Sequence, residues 1–342
     1  MKILIYADNH FCQYSSIIRS RGIKYSTRLE NQINSINWLE SLSKEKNCNI
    51  IISLGDFFDS ASLNAEEITA LRDIKWNNSI KHIFLVGNHE VNTRDISYNT
   101  INLLGLANYD IIDRPTSVKD DKYTYCFLPY IYSSERLASL KDYFPDSNTN
   151  IVFSHNDIAG IQYGAYKSED GFNLDDILSN CCLFFNGHLH NMSKLCETGK
   201  AYNIGNLTGL NFSEDAFNYP HGVWILDTVS KNLEFIENPF AFNFYKLDFT
   251  ENINVDFSLL KNNAVLSIKV SESNIEKVQT LLSNYSNKIV ESRILVDRNK
   301  NSDYNTTVKL EQVNYLEQFN EYMRQQIGNS EMVVEELAEV VK

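Results

Sequence analysis

The 342-residue sequence predicts an α/β protein whose polar side chains collect at one edge of a sheet. Five short apolar runs, each typical of a buried strand, are followed directly by Asp, Asn or His residues. Stretches with helical spacing separate several of these runs, an alternation typical of layered α/β domains. Because ligands of open α/β sheets gather at the carboxyl ends of strands, the same pattern predicts the position of a functional site.

The five predicted strands share one organisation, in which an apolar run leads into a short polar segment. In chain order they are residues 3–7 with Asp8-Asn9-His10, residues 50–54 with Gly55-Asp56-Phe57-Phe58-Asp59, residues 83–86 with Gly87-Asn88-His89-Glu90, residues 151–153 with Ser154-His155, and residues 183–185 with Asn186-Gly187-His188-Leu189-His190. Five of the seven histidines fall in these segments. Oxygen and imidazole donors without thiolate suit manganese, iron or zinc, so the segments predict a metal site.

Helical periodicity accounts for the intervening sequence. Leu29, Ile33, Ile36 and Leu39 recur every three to four residues and predict a helix after a polar loop that ends near Tyr25. The alternation of helix and strand continues through residues 64–76, 82–86 and 98–106. Further strands are expected at residues 123–128, 151–153, 183–185, 201–204 and 223–226.

Four regions are expected along the chain, with the first boundary at Asn238-Pro239. Residues 1–238 form the main domain, and residues 239–298 form a small α/β cap with the order strand, strand, helix, strand. Residues 299–311 are polar, which is typical of a linker. Residues 312–342 carry two apolar stripes at helical spacing and are predicted to be a helical tail.

Composition narrows the class of protein. No apolar stretch is long enough to span a bilayer, and the apolar N-terminal run is too short for a signal peptide, so a cytoplasmic protein is expected. The six cysteines lack metal-binding spacing and are expected to be mostly buried, reduced thiols. The net charge of −13 argues against a tight free-standing DNA binder. Bound divalent cations would reverse the local field, so a phosphoester substrate remains compatible.

The five polar segments together resemble the calcineurin-like metallophosphoesterase superfamily. Its motifs DxH, GDxxD, GNH[DE], a lone histidine and GHxH all occur here in the same order, within about the first 230 residues. The resemblance implies a four-layer α/β/β/α sandwich and a two-metal hydrolytic centre. It also implies two divalent ions, with Mn²⁺ expected ahead of Mg²⁺, Fe or Zn²⁺, and in-line attack on phosphorus.

The resemblance assigns a role to each motif residue. One metal would be held by Asp8, His10 and His190, the other by Asn88, His155 and His188, with Asp56 bridging the pair. His89 would be catalytic, either steadying the phosphate or protonating the departing oxygen. Asp59 and Glu90 are expected to orient the ligands from a second layer. His82 and His221 lie off the motifs and are expected to be structural or surface residues.

Beyond the fifth motif the sequence is similar to one branch of the superfamily, the SbcD-type DNA-repair nuclease subunits. The similarity lies in residues 202–206, the polar loop through 213–215, and residues 222–227. It implies a 3′–5′ exonuclease and endonuclease acting in DNA recombination, repair or replication. It also implies an SMC-like SbcC-type ATPase bound by residues 312–342, and a nuclease dimer within a heterotetramer. The Asn/Ile/Tyr-rich, Pro-poor composition suggests a phage or another AT-rich genome.

Two other functions compete with this interpretation. A stand-alone metallophosphatase or small-molecule phosphodiesterase shares the motifs, although the Arg-Gly pair that follows GDxxD in protein phosphatases is replaced here by Ser60-Ala61. A non-catalytic DNA-end-binding scaffold would lack a metal ligand, and none is missing. The apolar stripes of the tail could also cover the protein's own core rather than bind a partner.

Overall fold

The computed structural model describes residues 1–145, 147–163, 166–253 and 255–297. The predicted linker, residues 299–311, and the predicted tail, residues 312–342, lie outside the described residues. Within the described part of the chain, no helix is long and apolar enough to cross a membrane. Four of the six cysteines are buried, in line with the expectation from composition.

The first sheet begins with four parallel strands. The elements of this part are β1 (Lys2–Tyr6), α1 (Thr27–Glu45), β2 (Ile50–Ser53), α2 (Ala65–Ala70), β3 (Lys81–Leu85) and β4 (Tyr109–Ile112). Strands β1 to β4 pair in sequence order, and Tyr6 lies opposite Ser53. The predicted helix is confirmed as α1, which starts where the Ser26 side chain accepts a hydrogen bond from the Leu29 N–H, 3.2 Å away.

Two predicted segments differ from the structure. Only α2 and a 3₁₀ turn occupy the predicted helix at residues 64–76, and residues 98–106 contain only the 3₁₀ turn Thr100–Leu103. The apolar residues of both segments line a groove or pack against the first sheet, but they do not form one face of a longer helix. The helical spacing therefore predicted helices that are longer than the observed ones. The described 3₁₀ turns are Leu71–Asp73, Thr100–Leu103, Ser133–Glu135, Leu140–Asp142, Ser147–Thr149, Phe257–Leu259 and Glu272–Asn274.

The second sheet follows in sequence. The elements are β5 (Thr116–Lys119), β6 (Thr124–Leu128), β7 (Asn150–Ser154), β8 (Ile158–Ala159), β9 (Gln162–Tyr163), β10 (Tyr166–Lys167), β11 (Phe172–Asn173), α3 (Leu174–Asn180), β12 (Leu183–Asn186), β13 (Ser193–Lys194) and β14 (Ala201–Asn203). Its order is β13-β14-β12-β7-β6-β5, with the four central strands parallel and both edges antiparallel. Strands β8 and β11 pair with each other, as do β9 and β10.

Strands β15 (Gly222–Asp227) and β16 (Asn232–Glu237) return to the first sheet. Strand β15 pairs antiparallel with β1, and β16 pairs antiparallel with β15, so the order is β16-β15-β1-β2-β3-β4. The chain therefore builds both sheets before it closes the first one.

Alternating side chains divide the two sheets into four layers. In β1, Leu4 contacts the helical layer around Leu29, whereas Ile5 faces the second sheet and packs with Phe153 and Phe185. On the far side of the second sheet, the buried residues Val152, Phe184 and Ile177 of α3 share another core. This alternation follows from the two-residue period of a strand. The predicted α/β/β/α sandwich is confirmed.

A third, smaller sheet follows residue 238. It comprises β17 (Asn243–Phe249), β18 (Ala264–Ser271), α4 (Ile275–Asn284) and β19 (Ile289–Asp297), with all strands parallel. Val278 of α4 packs on Leu266 and Ile268 in a core of this sheet. The predicted element order of the cap is confirmed, while the domain boundary at residue 238 stays a prediction.

Candidate metal centre

The carboxyl ends of five parallel strands converge at the edge between the two sheets. Strands β1, β2 and β3 end before Asp8, Asp56 and Asn88, and β7 and β12 end before His155 and His188. Backbone hydrogen bonds hold these ends together, with the Asp8 N–H donating to the Gly55 carbonyl (3.1 Å) and the His10 N–H donating to the Asp56 carbonyl (2.9 Å). Residues far apart in sequence are thus brought to one place.

A first group of donor atoms is formed by Asp8, His10 and His190. One ligand atom of each lies within 4.8 Å of the others. The Nε2 atoms of His10 and His190 are 3.1 Å apart. Asp8 is fully buried, and its Oδ2 has no hydrogen-bond partner among the described residues.

A second group is formed by Asp56, His155 and His188, again with ligand atoms within 4.8 Å of one another. His155 Nε2 lies 3.1 Å from Asp56 Oδ2 and 3.2 Å from Asn88 Oδ1. Asp56 Oδ2 is also 3.9 Å from His10 Nε2, a member of the first group. The carboxylate of Asp56 therefore lies between the two groups.

The donor atoms of the second group fit a cation. His155 Nδ1 donates to the Leu54 carbonyl, 2.6 Å away, so its Nε2 presents a lone pair in the neutral ring. That lone pair faces two further acceptors, Asp56 Oδ2 and Asn88 Oδ1. Either a proton on Nε2 or a metal ion must lie among these three atoms. Imidazole, carboxylate and amide donors without thiolate suit a divalent ion such as Mn²⁺, Fe²⁺ or Zn²⁺.

The electrostatics of the buried cluster favour ionised Asp56. Burial acts to raise the pKa of Asp56, but the neighbouring His155 and His10 outweigh it and hold the pKa below its usual range. Burial acts to lower the pKa of His155, but the Asp56 carboxylate outweighs it and raises the pKa to about 9. Burial dominates at His10 and lowers its pKa. A carboxylate shared between two groups is thereby available to a cation.

Four of the predicted ligands have left-handed backbone conformations. Their φ angles are 50° at Asp8, 47° at His10, 49° at Asp56 and 73° at His188. Such conformations cost about 1–3 kcal/mol each in a non-glycine residue and cluster at functional sites. The fold around the strand ends thus holds these residues in positions that local preference disfavours.

Two motif glycines make room for the ligands. Gly55 has φ +101°, and a Cβ there would lie 2.5 Å from His155 Nδ1. A Cβ at Gly87 would overlap the carboxylate of Asp56. No larger residue fits either position without moving a predicted ligand.

His89 lies beside the two groups, and its side chain is 40% exposed. Its backbone N–H donates to Asp56 Oδ1 (2.9 Å), and its Nδ1 donates to the Asp59 carbonyl (2.9 Å). Its Nε2 is therefore the ring nitrogen left to face the site, 4.0 Å from Asp56 Oδ2. His10, Asp59 and His89 form a third cluster of potential ligand atoms within 4.8 Å of one another.

Asp59 and Glu90 make different contacts. Asp59 Oδ1 lies 3.1 Å from His10 Nδ1. Glu90 is fully buried and accepts hydrogen bonds from the backbone N–H groups of Asp56 (3.1 Å), Phe58 (2.9 Å) and Gly87 (2.7 Å). Burial and the nearby Asp56 raise the pKa of Glu90 to about 8, against the effect of these hydrogen bonds. Glu90 thus orders the backbone of the two turns that carry Asp56 and Asn88.

Sequence reasoning missed two carboxylates that contact predicted ligands. Asp157 Oδ1 is 3.1 Å from His188 Nε2, and Glu214 Oε1 is 2.9 Å from His190 Nδ1. Asp157 lies two residues after His155, so its position in the chain was an available signal. Glu214 lies in the polar loop at residues 213–215, outside the five motifs, and only the tertiary structure brings it to His190.

The two histidines outside the motifs are both buried and have polar partners. His82 Nε2 lies 2.9 Å from Glu40 Oε1, under the first sheet. His221 Nδ1 lies 2.5 Å from Asn206 Oδ1. Neither belongs to the three clusters of potential ligand atoms found among the described residues.

Comparison with known proteins adds a family match. A family model described as calcineurin-like phosphoesterase matches residues 1–213. Exonuclease subunit 1 of Enterobacteria phage T4 is 24% identical over 310 residues, which cover 88% of this chain and 86% of that protein.

Solved structures with lower identity are also similar in part. An archaeal phosphodiesterase is 15% identical, with 69% of this chain and 99% of that chain covered and a TM-score of 0.36. The purple acid phosphatase PPD1 of yellow lupin (Lupinus luteus) is 10% identical, with 70% of this chain and 51% of that chain covered and a TM-score of 0.42. A dimetal phosphatase from Danio rerio is 13% identical, with 66% of this chain and 91% of that chain covered and a TM-score of 0.36.

Proposed function

The chain belongs to the calcineurin-like phosphoesterase family, and on this basis we propose that it is a DNA nuclease that hydrolyses phosphodiester bonds with two divalent ions, Mn²⁺ foremost. One observation supports the proposal above all. Two oxygen atoms, Asp56 Oδ2 and Asn88 Oδ1, both lie within 3.2 Å of His155 Nε2. Either a proton on His155 Nε2 or a metal ion must lie among these three atoms, and the imidazole, carboxylate and amide donors suit a divalent ion.

The proposed ligands follow the two groups of donor atoms. One ion would be held by Asp8, His10 and His190 and the other by Asn88, His155 and His188, with Asp56 available to both. When bound, a pair of divalent ions supplies Lewis-acid polarisation of a phosphoryl oxygen and lowers the pKa of the attacking water. The protein keeps Asp56 ionised through His155 and His10, and the burial of Asp8, Asp56 and His155 excludes bulk water from these side chains.

His89 is the proposed catalytic residue. Its Nδ1 is committed to the Asp59 carbonyl, so a second proton on the ring must reside on Nε2, which faces the site. From there the ring donates a hydrogen bond to the phosphate or a proton to the departing oxygen. Its 40% exposure leaves room for a substrate beside the buried ligands. Asp59 and Glu90 act as orienting residues, Asp59 through His10 and Glu90 through the backbone.

A nucleic-acid substrate is supported by the relative named exonuclease subunit 1, and the choice of DNA follows the resemblance to the SbcD-type nuclease subunits. Both 3′–5′ exonuclease and endonuclease activities are proposed. The test compares hydrolysis of linear duplex DNA, single-stranded DNA and a phosphopeptide by the full chain in Mn²⁺. Release of nucleotides from DNA with little phosphopeptide turnover supports the proposal. Turnover of the phosphopeptide alone would replace it with a phosphatase function.

A partner is also part of the proposal. The relative is named a subunit, and residues 312–342 carry two apolar stripes of the kind that dock into a hydrophobic groove. We infer an SMC-like SbcC-type ATPase partner for these residues, a nuclease dimer within a heterotetramer, and a role in DNA recombination, repair or replication in the cytoplasm. Deletion of residues 311–342 is expected to abolish co-purification of the ATPase and to spare hydrolysis of short DNA. Retained co-purification would move the docking surface elsewhere.

A further inference from the structure

A buried carboxylate, Glu214, contacts the ring of His190 from the side opposite the proposed metal position. Glu214 is fully buried, and both of its oxygens are saturated with donors. Oε1 accepts from His190 Nδ1 (2.9 Å) and Asn211 Nδ2 (3.1 Å). Oε2 accepts from Asn206 Nδ2 (2.9 Å) and the Leu210 N–H (2.7 Å). A buried carboxylate is costly unless it is paired and hydrogen-bonded, and here both conditions hold.

The contact with Glu214 determines how His190 is presented. A histidine ring with Nδ1–H bound to a carboxylate carries its lone pair on Nε2. Nε2 of His190 faces His10 Nε2 at 3.1 Å, within the first group of donor atoms. The Glu214 contact therefore fixes both the tautomer and the rotation of the ring that a metal on Nε2 requires.

The loop that carries Glu214 is anchored to the third sheet. The Ala216 N–H donates to the Phe244 carbonyl (2.9 Å), and the Gly209 N–H donates to the Phe242 carbonyl (3.2 Å). Thr208 Oγ1 accepts from the Phe242 N–H (3.0 Å). The loop that carries the carboxylate is thus bound to the start of β17, and it is also bound to the His190 segment, because the Asn206 N–H donates to the His190 carbonyl (3.1 Å).

We propose that Glu214 is a positioning residue of the metal centre, which holds His190 with its proton on Nδ1 and its Nε2 directed at the ion shared with Asp8 and His10. The inference rests on the proposed metal centre. It assigns a function to a loop outside the five motifs, and it predicts that the two ions respond unequally when this carboxylate is changed.

The first test measures Mn²⁺ binding to the folded full chain by isothermal titration calorimetry. Glu214→Gln keeps the size of the side chain and removes its charge, and it is expected to weaken one of two sites by about 10- to 100-fold. The other site should stay within about twofold of wild type, since its imidazole ligands do not contact Glu214. Glu197→Gln is the matched control, because Glu197 is exposed and lies outside the donor groups, and it should leave both sites unchanged.

The second test needs no substitution of Glu214. In the Zn²⁺-loaded wild-type protein, long-range ¹H–¹⁵N spectra should show His190 with its proton on Nδ1, assigned through the loss of the signal in His190→Gln. Burial and the hydrogen bond to Glu214 predict slow exchange of this proton with water. A proton on Nε2 overturns the inference, even if Glu214→Gln fails to fold.

The remaining outcomes are also decisive. Wild-type affinity of both sites in Glu214→Gln, or equal weakening of both, would make Glu214 a structural residue of its loop and overturn the positioning role. Absence of Mn²⁺ binding by the wild-type protein would instead refute the metal centre, and with it the proposed function. The two failures are therefore distinguishable in a single titration series.

Discussion

Glu90 offers the sharpest test of how the fold supports the strand ends. Its buried carboxylate accepts hydrogen bonds from three backbone N–H groups, on Asp56, Phe58 and Gly87. These donors belong to the turns after β2 and β3, which lie beside each other in the first sheet. The side chain therefore joins two loops that carry predicted ligands.

Replacement of Glu90 by alanine leaves three donors without this acceptor and removes a buried side chain. Each buried N–H group left unsatisfied costs about 1–3 kcal/mol, so Glu90→Ala should lower the free energy of unfolding by at least about 3 kcal/mol. Glu90→Gln keeps one acceptor oxygen. Oε2 accepts the hydrogen bonds from Asp56 and Gly87, so a glutamine oxygen in its place can keep both of them. Only the hydrogen bond from Phe58 is then lost, which should lower the free energy of unfolding by about 1–3 kcal/mol.

The assay is urea unfolding of the metal-free proteins, followed by circular dichroism and tryptophan fluorescence. Glu135→Gln is the control, since Glu135 is exposed, and its effect should stay within about 0.5 kcal/mol. Backbone amide exchange at Asp56, Phe58 and Gly87 should accelerate in both Glu90 variants. A free energy of unfolding of Glu90→Ala within about 1 kcal/mol of the wild-type value would refute the reasoning. The three N–H donors would then have found other acceptors.

Three further substitutions separate catalysis, site packing and core stability. His89→Ala should reduce DNA hydrolysis by about 10²- to 10⁴-fold while calorimetry still finds two Mn²⁺ per chain; loss of the ions would make His89 a ligand. Gly87→Ala should weaken Mn²⁺ binding without changing the circular dichroism spectrum, because its methyl group overlaps Asp56; unaltered affinity would contradict the packing. His82→Ala should cost about 1–3 kcal/mol in urea unfolding, because it removes one of the two hydrogen-bond partners of the buried Glu40 and leaves only the Asn77 N–H, whereas a change below about 1 kcal/mol would show that the pair contributes little.

The strand ends were the predictable part of the site. An apolar run followed by a polar residue fixes both a strand and its carboxyl end, and parallel pairing aligns such ends. The sequence thus predicted that Asp8, Asp56, Asn88, His155 and His188 converge, and the structure brings their donor atoms together. Whether they bind metal stays a prediction.

The contacts between distant loops were not predictable from sequence. Glu214 meets His190 through a loop that is bound to β17, and no local pattern encodes that docking. Glu90 was expected to orient ligands, but its target is the backbone of a neighbouring loop, which sequence spacing does not reveal. The turn Thr100–Leu103 is a case in which a local pattern was misleading. Its apolar residues have helical spacing and pack on the first sheet, but they form only a 3₁₀ turn.

Anomalous scattering from crystals soaked in millimolar Mn²⁺ tests the two-metal centre most directly. Two peaks are expected, one beside Asp8, His10 and His190 and one beside Asn88, His155 and His188, with the Asp56 carboxylate between them. Asp56→Asn should weaken both peaks. A wild-type crystal without a peak next to Asp56 would contradict the account.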